Sequence, residues 1–179
     1  MEKTQAIEKF LNNVTDASHR VIDYIEDGQH YVGNGLVISA ITDKESTSKE
    51  QSSGVATKMV NSCMTSNGQH CTVDVNRVLK ATQYLKAVGN SDLGIDLDLT
   101  PDGMRLTNAV NDSVTTDGWS DLTNLDRVTT TLSSKLLIAV MLYEKRLGSK
   151  KVAIRLAENN NVIVVDGKAT TVIASMRKF

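Results

Sequence analysis

The sequence predicts an α+β fold in which a strand–helix–three-strand unit occurs twice, packing two helices on antiparallel sheets over residues 72–179, preceded by a smaller α/β region, residues 1–71. Three kinds of signal predict it: strict alternation of apolar residues in short runs, turn pairs at Asp-Gly, and two apolar-faced helices bounded by cap residues.

The second unit is the clearer one. Threonines from Val128 to Leu132 form a β-prone run, Ser133 or Ser134 supplies an N-cap, and an apolar helix runs to Gly148 with Lys145 and Arg146 at its negative end. Val152, Ile154 and Leu156 alternate, Asn159 to Asn161 turn the chain, and Val162 to Val165 return to Asp166-Gly167. Thr170 to Met176 completes the meander. In the first unit Val73 and Val75 alternate, and Asn76 to Val88 forms a helix with Val78, Thr82 and Leu85 on one side and Arg77 and Lys80 on another. Leu93, Ile95, Leu97 and Leu99 make the next strand, Pro101-Asp102-Gly103 turns, and Met104 to Val110 returns. Asp117-Gly118 precedes a last, less regular strand with Trp119 and Leu122.

Residues 1–71 read differently. Residues 2–14 carry Ala6, Ile7, Phe10, Leu11 and Val14 at helical spacing, and a strand follows from Arg20 to Ile25. Asp27-Gly28 turns into an extended segment, Tyr31 to Thr42, interrupted by a turn or bulge at Gly33 to Gly35. Asp43 to Gly54 is polar and reads as a solvated loop, and Val55, Met59, Val60 and Cys63 resume helical spacing before Asn67-Gly68. Ile22 to Gly28 echoes Ile95 to Gly103, and Ser39 to Asp43 echoes Asn108 to Asp112, as a shortened copy of the same unit would.

The chain has 179 residues, enough for one large domain or two small ones, with net charge −1. The balance is uneven: six Lys+Arg against nine Asp+Glu in 1–71, and fourteen against twelve in 72–179. Overall basicity therefore does not announce nucleic acid, and a basic face would have to come from placement. Two cysteines and no apolar run of membrane-spanning length fit a soluble cytoplasmic protein with reduced thiols.

Catalytic signals are weak. Asp96 and Asp98 lie two apart on one strand face, which a solvent-facing row explains better than a shared metal or proton. His30, Cys63, His70 and Cys71 lack paired metal-ligand spacing, and Gly148-Ser149-Lys150 lacks the glycine and strand–helix order of a phosphate loop. No nucleophile has an adjacent base, so an enzyme, a metal and a cofactor are not expected.

Residues 72–179 resemble one domain of the bacterial DNA polymerase sliding clamp, the β subunit of the replicative polymerase, most nearly its third domain. The resemblance rests on VDVNRVLKATQYLKAV, the ID-L-DL-PDG-M-L hairpin, the SSKLLIAVM helix and the end, VVDG....TTVIASMR. The family's last strand reads V-I-M-P-M-R; Val172, Ile173, Met176 and Arg177 match, while Ala174 and Ser175 stand in place of Met-Pro. The resemblance implies helices whose basic residues face duplex phosphates without reading sequence, here Arg77, Lys80, Lys135, Lys145, Arg146, Lys150 and Lys151. On the second helix the open strip reads Lys135, Ala139 and Arg146. It further implies a pocket at the last strand for polymerase or other clamp-binding motifs, with Val172, Ile173, Met176 and Arg177 in it, and a homo-oligomeric ring closed by edge strands. The implied function is that of a processivity factor in DNA replication, tethering replication partners on double-stranded DNA. The alternative is a clamp-fold adaptor of phage or mobile-element type that binds proteins without encircling DNA.

Overall fold

The computed structural model describes residues 2–15, 18–43, 55–64, 70–89, 94–121, 128–157 and 162–176. Their order is α1 (Lys3–Val14), β1 (Ile22–Glu26), β2 (Gln29–Gly33), β3 (Val37–Thr42), α2 (Val55–Met64), β4 (His70–Asp74), α3 (Val75–Val88), β5 (Ile95–Thr100), β6 (Gly103–Asn108), β7 (Ser113–Ser120), β8 (Val128–Leu132), α4 (Ser134–Leu147), β9 (Lys151–Leu156), β10 (Val162–Asp166) and β11 (Thr170–Ala174). The doubled unit is therefore present as β4-α3-β5-β6-β7 and β8-α4-β9-β10-β11. The segment α1-β1-β2-β3 repeats its helix-plus-meander portion. Of the two echoes, Ile22 to Gly28 and Ile95 to Gly103 hold corresponding hairpins, but Ser39 to Asp43 closes a third strand where Asn108 to Asp112 follows a second. The turns at Asn67-Gly68 and Asn159 to Asn161, the loop 44–54, Leu93 and Leu122 lie outside the described residues.

The strands follow one another as β1-β2-β3-β11-β10-β9-β4-β7-β6-β5-β8, with every pairing antiparallel. The layer bends at β7, whose Ser113–Asp117 half pairs β6 while Gly118 to Ser120 pairs β4. Gly118 makes that switch because any Cβ there would run into the Thr72 carbonyl and the Cys71 sulfur. The layer also curls, for past β11 the Met176 N–H donates to Thr131 O of β8 at 2.8 Å.

Two apolar clusters fill the two faces of the curved sheet. Adjacent residues of β11 point oppositely, so Ile173 joins the large cluster with Phe10, Leu79, Val140 and Tyr143, while Val172 joins a smaller one with Tyr24, Tyr31, Ile38, Val164 and the α2 residues Val60 and Cys63. Helices α1, α4 and α3 thus cover one face in that order, with α4 touching both neighbours, and α2 covers the other over β3 and β11. Phe10 of α1 stacks on Tyr143 of α4 with centroids 4.5 Å apart.

The interruption expected at Gly33 to Gly35 is a true turn, so Tyr31 to Thr42 is two strands. Gly33, at φ 146°, has the Val37 carbonyl where a Cβ would stand. Asn34 is 1% exposed, and its Oδ1 accepts from Leu36 N–H (2.8 Å) and Val37 N–H (3.0 Å) while its Nδ2 donates to Val14 O (2.7 Å) at the end of α1. One side chain therefore closes the β2–β3 turn and ties α1 to it.

Three further expectations are corrected. Val75 opens α3 instead of ending β4, because Asp74 caps the helix by accepting from Arg77 N–H at 2.9 Å. The last strand stops at Ala174, where the chain turns toward β8. Asp96 and Asp98 do not form a solvent-facing row: Asp98 is 5% exposed, Thr129 Oγ1 donates to it, and Thr131 Oγ1 donates to Asp96 at 2.6 Å. Their cross-strand partners on β8 are those same threonines, so the carboxylates are absorbed in a hydrogen-bonded ladder.

Candidate nucleic-acid interface

The outer face of the α1-α4-α3 layer is the chain's concentrated basic surface. Helix α3 contains Arg77, Lys80 and Lys86 and no carboxylate, α4 contains Lys135, Lys145, Arg146 and Glu144, and α1 contains Lys3, Lys9 and Glu8. The three helices thus carry eight cations and two carboxylates, one of the latter buried, in a chain whose totals are 20 and 21; of the cations, Lys3 is half-buried and its Nζ lies 3.3 Å from Asp43 Oδ1 beyond β3. The bland explanation of Lys86, Lys145 and Arg146 is that cations in a last turn complement the helix dipole. It does not account for Lys80 and Lys135, or for the acid-free α3.

Among the expected residues, Lys80, Lys135, Lys145, Lys150 and Lys151 are exposed. Arg77 is exposed too, but its Nη1 lies 3.0 Å from Asp117 Oδ2 of β7, so part of its charge is answered within the chain. Arg146 is half-buried, and its Nη1 is buried without a hydrogen-bond partner among the described residues. The strip Lys135-Ala139-Arg146 is corrected. Ala139 is 3% exposed because it shares the α1-facing side of α4 with Tyr143, four residues on, and the open strip carries Lys135, Ile138, Leu142 and Lys145. Two half-buried apolar residues therefore separate the cations along α4. Sequence spacing missed that α1 flanks α4, because periodicity reports which side of a helix is apolar and not how many neighbours cover it.

At the C-terminal end of α4, Gly148 takes φ 90° and its N–H caps Glu144 O and Lys145 O. Lys145 and Arg146 lie in the last turn of α4 and Lys150 follows it, and the backbone of the exposed Lys168 in the β10–β11 turn is bound to Glu144 there; Lys151, next to the inward Val152, shares the α2 side of β9 with Arg155. Glu144 is fully buried beneath this group and accepts from Ser149 Oγ (2.6 Å), Lys168 N–H (2.8 Å) and Ala169 N–H (3.1 Å). Burial raises its pKa above the ordinary 4.5, against the lowering effect of the three hydrogen bonds, with Asp166 adding to the rise. The Tyr143 hydroxyl is likewise pushed up by burial.

At the last strand Val172 and Ile173 are both fully buried, and Val172 lies under α2. Helix α2 is fixed there by Thr57 N–H, which donates to Tyr24 Oη at 3.1 Å, and by Arg155 Nη1, which donates to Cys63 O. Met176 is 38% exposed and its sulfur borders Gly94 and Thr131; Arg177 lies outside the described residues. The chain's own helix thus holds the apolar face that includes Val172.

The other singled-out residues are engaged locally. His70 Nδ1 lies 2.9 Å from Asp121, and His30 Nε2 lies 2.7 Å from Asp23. Cys63 and Cys71 are buried and unbridged, on opposite faces of the sheet; burial pushes the Cys71 thiol up to about 11. Among the described residues no group of three His, Cys, Asp or Glu side chains could hold a metal ion, and no helix is long and apolar enough to cross a membrane.

No protein-family model matches the sequence, and no curated protein matches it. Solved structures do. A protein described as the DNA polymerase III β subunit of Eubacterium rectale superposes with a TM-score of 0.70 at 11% identity, over 99% of this chain and 65% of that one. A DNA polymerase sliding clamp from Pseudomonas aeruginosa gives 0.65 at 10% identity, over 99% and 66%. The DNA polymerase III β subunit of Thermotoga maritima gives 0.65 at 11%, over 99% and 63%. The chain has the sliding-clamp fold, and it spans just under two thirds of the length of these clamps.

Proposed function

We propose that this chain, which has the fold of the bacterial DNA polymerase sliding clamps, is a non-catalytic clamp-type protein that holds duplex DNA against its helical layer without reading sequence and tethers replication partners there. A fold alone does not assign a function. The observation that carries the reading is the placement of eight of 20 cations, and two of 21 carboxylates, on three adjacent helices of one face, with Lys3 and Arg77 paired to Asp43 and Asp117. Such cations meet phosphates as point charges, giving weak, salt-sensitive contacts that position but do not specify. The site comprises Lys80, Lys135, Lys145 and Lys150, with Arg77 and Arg146 contributing less for the reasons given and Lys151 left out because it alternates onto the α2 side of the sheet. In this reading the chain acts in the cytoplasm, residues 1–71 supply a shortened clamp-like domain ahead of the full one at 72–179, and several copies close a ring through edge strands. The exposed Met176 belongs to the surface offered to polymerase motifs.

The test is retention on duplex DNA of unrelated sequences at rising salt. The wild type is expected to bind each alike and to release by moderate salt, and replacing Lys80, Lys135, Lys145 and Lys150 together by Ala to abolish retention. Unchanged retention of that variant overturns the assignment of these helices to a DNA-facing wall.

A second reading, a clamp-fold adaptor that does not encircle DNA, is favoured by the half-buried Ile138 and Leu142 within the open strip of α4. Sedimentation separates the two: a ring is an oligomer of defined size, and a strictly monomeric particle supports the adaptor.

A further inference from the structure

We propose that Lys168 is a phosphate-contacting residue of the helical face, and that buried Glu144, acting directly and with Ser149, is the positioning residue that holds it there; this rests on the DNA-binding reading above. Lys168 lies in the turn between β10 and β11, far in sequence from α4, and nothing in its local spacing marks it as part of a basic face. The fold brings it there through one carboxylate. Glu144 Oε2 takes the Ser149 hydroxyl and the Lys168 N–H, Glu144 Oε1 takes the Ala169 N–H, and Ser149 Oγ also accepts from Lys168 N–H at 3.0 Å. The turn is seated so tightly that a Cβ at Gly167 would collide with the Glu144 carboxylate.

A carboxylate is an expensive group to bury, and worse placed in the last turn of a helix, where the backbone carbonyls already present negative charge. A turn could be pinned to a helix end by apolar contact alone. What the carboxylate adds is fixed orientation: it orders the backbone of residues 167–169, which directs an exposed lysine to the same end of α4 as Lys145 and Lys150. The carboxylate itself is 0% exposed, so it takes no part in the surface it organises.

Three variants and one control variant test this on duplex retention across a salt series, each checked for folding by circular dichroism. Lys168→Ala is expected to lower the magnitude of the salt slope by about 0.9, a loss of about threefold across a fourfold change in salt, while Lys58→Ala on α2, over the opposite sheet face, leaves both affinity and slope unchanged. Glu144→Gln is the sharper test, because the two explanations differ in sign. Removal of a negative charge alone makes the protein bind DNA more tightly, whereas loss of the positioning role makes it bind less tightly and lowers the magnitude of the salt slope by up to about the same 0.9. Ser149→Ala changes no charge and is expected to weaken retention in the same direction. Weaker binding by Lys168→Ala with tighter or equal binding by Glu144→Gln and Ser149→Ala overturns the positioning role. Unchanged binding by Lys168→Ala overturns the whole proposal while leaving the DNA reading intact, and failure of the wild type to bind duplex removes both.

Discussion

Asn34 offers the most searching perturbation of how the helical layer is assembled. It is almost fully buried and makes three hydrogen bonds, two that close the β2–β3 turn and one that satisfies the last carbonyl of α1. Replacement by Ala removes all three. At about 1 kcal/mol net for each, the loss is about 3 kcal/mol, rising toward about 5 if the Val14 carbonyl is left dry and unpaired. For a chain of this length that corresponds to a fall in melting temperature of about 6–12 °C. Asn34→Asp separates the two halves of the effect. It keeps an oxygen for the Leu36 and Val37 amides but sets a second oxygen against Val14 O, so its stability is expected to improve on acidification, when the protonated acid again offers a donor. Thermal unfolding followed by circular dichroism, over a pH series for the Asp variant, reads both. A loss below about 1 kcal/mol for Asn34→Ala would refute the claim that this side chain anchors α1 to the meander.

Other consequences are open to the same instruments. Phe10→Ala, which removes the stacked partner of Tyr143, is expected to cost about 3–5 kcal/mol by denaturant titration. Tyr143→Phe removes a buried hydroxyl that faces Ser39 of β3 without a hydrogen bond of good geometry, so stability is expected to stay within about 1 kcal/mol of wild type, and a larger drop would show a formed Tyr143–Ser39 bond. Because burial raises the Glu144 pKa, the native state holds its proton to higher pH than the unfolded chain does. Its contribution is therefore greatest below about pH 4.5 and is lost as pH rises through the native pKa; wild type should lose stability relative to Glu144→Gln over that interval, and a gap independent of pH would contradict this. Asp117→Asn frees Arg77 and removes a surface carboxylate, so duplex retention should increase and persist to higher salt.

The doubled unit was legible because its strands alternate and its second helix is capped: Ser133 and Gly148 mark ends that the structure keeps, whereas the Asp74 cap of the first helix was not read. Much of the basic face was legible for the same reason, since Lys80 and Lys135 lie opposite apolar stripes. What could not be read depends on contacts between distant segments. Ala139 looks open until α1 is placed beside α4, and Asp98 looks solvent-facing until Thr129 stands opposite it. Val172 fits an apolar pocket by its type, but only the packed chain shows α2 over it. Lys168 had no local signal at all, for its place depends on a glutamate 24 residues away in sequence.

The most direct measurement is acetylation of lysines with and without duplex DNA, read residue by residue by mass spectrometry. If the helical layer faces the duplex, Lys80, Lys135, Lys145 and Lys150 become protected while Lys58, over the opposite face, reacts as before. Equal protection of all five, or protection of Lys58 alone, contradicts a DNA-facing helical wall.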